Sequence, residues 1–256
     1  MNTIDLNADI GEADNPDWAA SEAAIVKAIS SANIACGGHA GDAASMRLTV
    51  RNAKTEGVTI GAHPAYPDRE NFGRTSLVLG EDIEAKVLSE TLRTQILDLA
   101  EICASENTTL AYVKPHGALY NDSVFDAEKA DLIARVIADL NMGLTFLGGP
   151  NSQMSNAAKT HGLKFVAEGF IDRRYTDDGH LLSRKIDGAV IKDNEARLAQ
   201  ARALATTGEV QTASGKTLIL RTGSLCVHGD SAGAVETAHQ ARAAIETEGL
   251  IIKAFA

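Results

Sequence analysis

The chain is short of several things that would otherwise narrow its role. Aromatic residues make up only 4% of its 256 residues, with one tryptophan, five prolines and three cysteines. The cysteines (Cys36, Cys103 and Cys226) are odd in number and have no Cys-x-x-Cys spacing, which argues against a disulfide framework or a structural zinc site. Cys36 and Cys226 read instead as small buried thiols in strands. No apolar run approaches the ~20 residues of a membrane helix. The opening Met-Asn-Thr-Ile-Asp-Leu has neither the basic region nor the long apolar core of a signal peptide. A cytoplasmic location is expected, without a membrane partner. Positive charge is also scarce, 24 Lys and Arg against 34 Asp and Glu for a net charge of -10, and a phosphate backbone needs a basic face. Nucleic acid is therefore not an expected partner. Neither Gly-x-x-x-x-Gly-Lys-Ser/Thr nor a Gly-x-Gly-x-x-Gly after a strand occurs, so any ATP involved would be bound by another polypeptide.

What is present is a regular alternation. Short apolar runs at 4–8, 33–36, 58–62, 110–114, 144–147 and 164–168, with a C-terminal pair around 218–221 and 224–227, read as strands. Between them, 17–30, 42–56, 80–106, 127–140, 152–161, 193–206 and 233–246 carry apolar residues at helical spacing. This pattern predicts a mostly parallel sheet covered by helices. No linker divides the chain, so one domain spanning 1–256 is expected. Polar residues follow nearly every strand, which favours a closed β/α barrel over an open sheet with one switch point. Residues 209–216 read as a hairpin-like elaboration.

Four apolar runs end abruptly in a histidine beside Gly, Pro or Asp: His39, His63, His116 and His228. Histidines recurring at strand ends suit a site gathered from many segments. Asp5, Asn7 and Asp9 share one side of the first strand by alternation, and a buried polar stripe is costly unless paired or ligating. Glu12 follows in the loop. Asp42 reads as a helix N-cap behind His39, and Asp230 or Ser231 reads as a second cap behind His228. Pro64 holds His63 extended, and Arg74 lies on the long connection that follows. Lys114 ends an apolar strand, so its charge is either expelled to solvent or neutralised by a carboxylate or an anionic substrate. It could stabilise negative charge or, if desolvated, act as a base. Glu168, Asp172 and Arg173 end the sixth strand as a substrate-binding loop. His161 fits a helix C-terminus, and His239 a helix surface.

In order, the segments Asp5-Leu-Asn-Ala-Asp-Ile-Gly-Glu12, Asn33-Ile-Ala-Cys-Gly-Gly-His-Ala-Gly-Asp42, Gly61-Ala-His-Pro-Ala-Tyr-Pro-Asp68, Val113-Lys-Pro-His-Gly-Ala-Leu-Tyr-Asn121, Glu168-Gly-Phe-Ile-Asp-Arg-Arg-Tyr175 and Cys226-Val-His-Gly-Asp230 closely resemble the LamB/YcsF family, known as the A-subunit of the bacterial ATP-dependent 5-oxoprolinase. The resemblance implies a distorted seven-stranded β/α barrel of the glycoside hydrolase/deacetylase type. It also implies opening of 5-oxo-L-proline to L-glutamate coupled to ATP hydrolysis, with subunits B and C as partners. On this reading Asp9, His63, Lys114 and His116 carry the chemistry. Asn7, Glu12, His39, Arg74, Glu168, Asp172, Arg173 and His228 bind substrate. Two other readings stay open. One is a free-standing divalent-metal-dependent hydrolase or deacetylase acting on a carbohydrate or amide, with Asp9, His39 and His63 as ligands. The other is a non-enzymatic binding subunit.

Overall fold

The first strand shows how the sequence builds the ring. In the computed structural model, which describes residues 3–229 and 233–256, β1 (Thr3–Ile10) alternates strictly. Ile4, Leu6, Ala8 and Ile10 are buried in the apolar core shared with the helices. Asp5, Asn7 and Asp9 point the other way, because a strand turns successive side chains to opposite faces.

The remaining strands follow in chain order: β2 (Ser31–Ala35), β3 (Thr59–His63), β4 (Leu110–Val113), β5 (Thr145–Gly148), β6 (Phe165–Phe170), β7 (Glu209–Gln211), β8 (Thr217–Ile219), β9 (Ser224–Val227) and β10 (Ile251–Ile252). Parallel pairing runs β1-β2-β3-β4-β5-β6-β9 and returns from β9 to β1, closing a seven-stranded barrel. β10 adds alongside the first residues of β1. The helices are α1 (Pro16–Val26), α2 (Ala43–Thr55), α3 (Ala85–Ser105), α4 (Gly117–Phe125), α5 (Ala127–Asp139), α6 (Gln153–Thr160), α7 (Asn194–Thr206) and α8 (Ala234–Thr247). No helix among the described residues is long and apolar enough to cross a membrane.

Several sequence expectations meet the structure directly. The Asp42 carboxylate caps α2, accepting from the backbone N–H of Ala44 at 2.9 Å and of Ser45 at 2.8 Å. His161 caps the end of α6, and His239 is exposed on α8. The expected caps at Asp230 and Ser231 lie outside the described residues. The hairpin forms as β7 and β8. One expectation is corrected: the 218–221 run is no barrel strand. Its first residues belong to β8, which pairs antiparallel with β7 outside the ring, and Thr217 and Ile219 are exposed there. The sequence also concealed α4, a short helix that opens with glycine straight after His116.

One glycine shapes the interior. The register between β3 and β4 slips by one residue at Ile60/Gly61, which brings Tyr112 against Gly61. A Cβ at Gly61 would lie 2.2 Å from the Tyr112 ring, so only glycine lets that ring cross the barrel.

Candidate active site

The barrel interior is polar along one column. At its lower end Asp5 accepts hydrogen bonds from the hydroxyls of Ser30 and Ser31 at 2.6 Å and from that of Ser224. Burial, with a smaller push from the Glu168 charge, raises the Asp5 carboxyl to about 6 despite these three donors. One pleat higher, the Asn7 amide donates to Ser224 at 2.6 Å, and the Asn7 carbonyl accepts from Asn33 at 2.7 Å. Asn33 also donates to Asp9 at 2.7 Å, while the Tyr112 hydroxyl donates to the Asn33 carbonyl at 2.6 Å. Every step of this ladder is made.

Lys114 stands above it, in the residue after β4. Its ammonium lies 3.0 Å from Asp9 Oδ1 and 3.0 Å from Glu168 Oε2, with Cys226 Sγ at 3.3 Å. β1 neighbours neither β4 nor β6, so these contacts run through the inside of the ring. Burial would strip the Lys114 proton, but the nearby negative charge outweighs it and holds the group well above the usual lysine range. Of the two roles its sequence position allowed, this pairing with two carboxylates favours the cation over the base. The carboxyl of Asp9 is likewise pushed up by burial but held well below its usual value by His63 and Lys114.

The histidines at the ends of β2, β3 and β4 meet beside this cation. His39 stacks flat on His116 with ring centroids 3.5 Å apart. It is buried beneath the mouth of the site rather than placed at it. His63 Nδ1 faces the Lys114 carbonyl at 2.8 Å, and His116 Nε2 faces the Phe72 carbonyl at 3.0 Å. A carbonyl can only accept, so both of those nitrogens carry the ring proton. The opposite nitrogens, His63 Nε2 and His116 Nδ1, lie 3.0 Å apart with lone pairs facing. A proton or a cation between them relieves that contact. Burial, and then the repulsion that a protonated His63 would add, hold both His39 and His116 well below the ordinary histidine value.

Glu12 completes the group, 2.9 Å from His39 Nε2 and 3.6 Å from His116 Nδ1. Its loop is tied down by the buried Glu22 carboxylate of α1, which accepts from the backbone N–H of Gly11 and Glu12 at 3.0 and 2.9 Å. Glu12, His39, His63 and His116 place one ligand atom each within 4.8 Å of one another, and all are buried. Together with the facing lone pairs and a His39 Nδ1 that has no partner, this donor set fits a divalent cation. The expected triad of Asp9, His39 and His63 is thereby corrected. Glu12 takes the acidic place and His116 joins, because the Asp9 Oδ1 atom turns to Lys114 and Asn33. Asp9 Oδ2 keeps its contact with His63 at 3.4 Å.

The third sector lies across the mouth. His228 Nδ1 sits 2.8 Å from the Asp172 carboxylate, which burial raises but His228 and two arginines hold below its usual value. Arg173 is buried and donates to the Leu182 carbonyl at 2.6 Å. Arg74 is exposed at the rim, its guanidinium 5.0 Å from the Phe72 ring centre. A cavity of about 520 Å³ joins these sectors and reaches Asp9, Glu12, His63, Lys114, His116, Glu168, Arg173 and His228.

Sequence reasoning passed over Asn33, Tyr112, Tyr120 and Gln95. Gln95 sits on the apolar face of α3, where its amide both accepts from and donates to the backbone of Ala65, at 3.0 and 2.9 Å, and so fixes the loop after His63. A polar residue on that apolar face was the available signal.

Comparison with known proteins agrees with this geometry. The LamB/YcsF family profile matches residues 4–256. A 5-oxoprolinase A-subunit from Agrobacterium fabrum (strain C58 / ATCC 33970) is 40% identical over 257 residues, covering all of this chain and 99% of its own length. The crystal structure of a lactam utilization protein from Thermus thermophilus superposes with a TM-score of 0.89 at 34% identity, covering 99% of this chain and all of its own. A β-1,4-mannanase, at 11% identity and a TM-score of 0.54 over 96% of this chain and all of its own, shares the fold alone. With a match over nearly its whole length and these full-length relatives, the chain belongs to the LamB/YcsF family.

Proposed function

We propose that the chain opens the lactam of 5-oxo-L-proline to L-glutamate, as the ring-opening subunit of a cytoplasmic, ATP-dependent 5-oxoprolinase. It acts as a single barrel domain, and partner subunits B and C handle the ATP. The names of the two full-length relatives support this reading. The observation that carries it is the Lys114 ammonium held between Asp9 and Glu168, beside two imidazole nitrogens left as acceptors because backbone carbonyls take the ring protons at the opposite nitrogens.

A lactam carbonyl is a poor electrophile because its nitrogen donates into it. Transfer of a phosphoryl group to the carbonyl oxygen at a partner chain makes the ring carbon open to water. Water adds there, and its proton passes to His63 Nε2 or His116 Nδ1, with Asp9 orienting His63. The adduct can collapse in two ways. Expelling phosphate merely restores the lactam, whereas breaking the C–N bond opens the ring and requires a proton on nitrogen. The imidazolium formed in the first step holds that proton. The resulting acyl phosphate then loses phosphate to a second water, giving glutamate. Lys114 offsets the negative charge that develops, and Arg74 and Arg173 take the substrate's anionic groups. Asn7, Glu12, His39, Asp172 and His228 hold these side chains in position.

Reconstitution with the partner chains tests the reading: glutamate and ADP should form from 5-oxo-L-proline, and omitting any one chain should stop glutamate. Glutamate formed at the full rate without this chain would end it.

The facing nitrogens of His63 and His116 favour a second reading, a divalent-metal-dependent hydrolase or deacetylase. Glu12, His39, His63 and His116 would hold the cation, which polarises a carbonyl or acidifies a water when bound. Elemental analysis of the purified protein should then find about one divalent ion per chain, lost in His116→Ala. A metal-free protein with full activity under chelator excludes it.

A further inference from the structure

Three polar atoms of side chains that line the cavity make no hydrogen bond of ordinary geometry although they are sealed from bulk water: the Tyr120 hydroxyl, Glu168 Oε1 and Arg173 Nε. All three side chains line the cavity, and none is more than 5% exposed. Buried polar groups are nearly always satisfied, so three such atoms lining one cavity call for a partner from outside the chain.

Each side chain is fixed by its other contacts, leaving one function to spare. Glu168 gives Oε2 to Lys114 at 3.0 Å, which leaves Oε1 as an acceptor. Arg173 spends a terminal nitrogen on the Leu182 carbonyl, which leaves the Nε–H as a donor. Tyr120 rises from α4 and meets the Phe170 ring edge-on at 6.0 Å. Burial, and then the Glu168 charge, push its phenol far up, so it stays protonated and donates. The Glu168 carboxylate acts on it by its charge and also as a hydrogen-bond acceptor, in a contact looser than an ordinary hydrogen bond that a ligand must displace. Phe170, between Lys114 and His228, supplies the apolar surface beside these groups.

Two donors and one acceptor call for a ligand with two acceptors and one donor. A cyclic secondary amide with a carboxylate on the carbon next to nitrogen presents that set, with its single N–H between the two oxygen functions. We infer that Tyr120, Glu168 and Arg173 form the recognition subsite for such a lactam acid. The ring N–H donates to Glu168 Oε1, the ring carbonyl accepts from Tyr120, and the carboxylate accepts from Arg173. The choice of a lactam rests on the function proposed above, whereas the tally of donors and acceptors does not. The subsite selects by unmade bonds: a ligand lacking one of the three functions leaves a buried group stranded.

Calorimetric titration of the purified chain with 5-oxo-L-proline, N-methyl-5-oxo-L-proline and 2-pyrrolidinone tests this. 5-Oxo-L-proline should bind tightest. The N-methyl compound, which has no donor, and 2-pyrrolidinone, which has no carboxylate, should each bind about ten- to a hundredfold more weakly. Tyr120→Phe removes one oxygen and should weaken 5-oxo-L-proline about two- to tenfold. Arg173→Gln should weaken 5-oxo-L-proline yet leave 2-pyrrolidinone unchanged, a selectivity that a merely structural arginine would not produce. Should that variant misfold, Arg173→Lys serves, and the comparison of ligands needs no variant. Equal binding of the three ligands, unchanged affinity in Tyr120→Phe, or no heat with any ligand at millimolar concentration overturns the subsite. If the ligands are discriminated but the reconstituted complex makes no glutamate, the proposed function falls and the subsite stands. If glutamate forms without discrimination in binding, the subsite falls and the function stands.

Discussion

The lower and upper halves of the barrel interior are both buried and both polar, yet they are built to different rules. At Asp5 both carboxylate oxygens are paired, by three serine hydroxyls. Around Lys114 and the histidines, pairing is left incomplete: two lone pairs face each other, and His39 Nδ1, Glu168 Oε1 and Arg173 Nε have no partner. One strand, β1, supplies both ends through Asp5 and Asp9. Burial of polar groups therefore does not mark a site; unfinished hydrogen bonding within the burial does.

Substitutions can break that contrast, and on turnover the largest effect belongs to the upper half. Lys114→Met should abolish glutamate formation in the reconstituted complex. It should also cost about 3–5 kcal/mol in denaturant unfolding, because Asp9 and Glu168 then face each other buried and uncompensated. Full turnover in this variant would remove the cation from the mechanism.

Tyr112 sits between the halves. Tyr112→Phe strands the Asn33 carbonyl, so stability should fall by about 1–3 kcal/mol. Asn33 also donates to Asp9, so turnover should fall about tenfold. A stability loss with turnover unchanged would move Tyr112 into the silent half.

Asp5→Asn probes the lower half and should leave turnover within about twofold, since a change well under 1 kcal/mol in the barrier is expected. Its effect is on pH. Because the folded Asp5 carboxyl is raised to about 6 from 3.8, the folded chain holds that proton more tightly than the unfolded chain. The resulting stabilisation is full below pH 3.8 and is lost as pH rises through 6, by about 3 kcal/mol at most. Unfolding titrations between pH 4 and 6 should show this slope in the parent and its absence in the variant.

How much of this was legible in the residues follows the same division. Alternation along Asp5, Asn7 and Asp9, and histidines ending strand-like runs, announced a barrel with ionisable groups gathered at one rim. The chain also brings Asp9, His63, Lys114 and His116 together as that pattern required. The partners of these groups were not legible. Nothing local tells Asp9 to turn one oxygen to Lys114, 105 residues away, and so to cede the acidic place in the quartet to Glu12. Tyr120 was hidden for another reason: it lies in a short helix whose opening glycine reads as a loop, and an aromatic facing a core is ordinarily only packing. The strand expected at 218–221 forms only in its first residues, as β8, and pairs with β7 outside the ring, because β-propensity reports a strand and not the sheet it joins.

The closure of the ring sets the order in which the site can come into being. Asn7 finds Asn33 26 residues ahead but meets Ser224 only across 217. Asp5, Asn7 and Asp9 therefore remain half-housed until β9 arrives, and bringing such distant segments together is the slow, entropically costly event in a fold of this kind. A growing or refolding chain can thus possess its helices and most of its strands well before Lys114 is pinned between its two carboxylates. Competence in this protein is a property of the finished circle and of no arc of it.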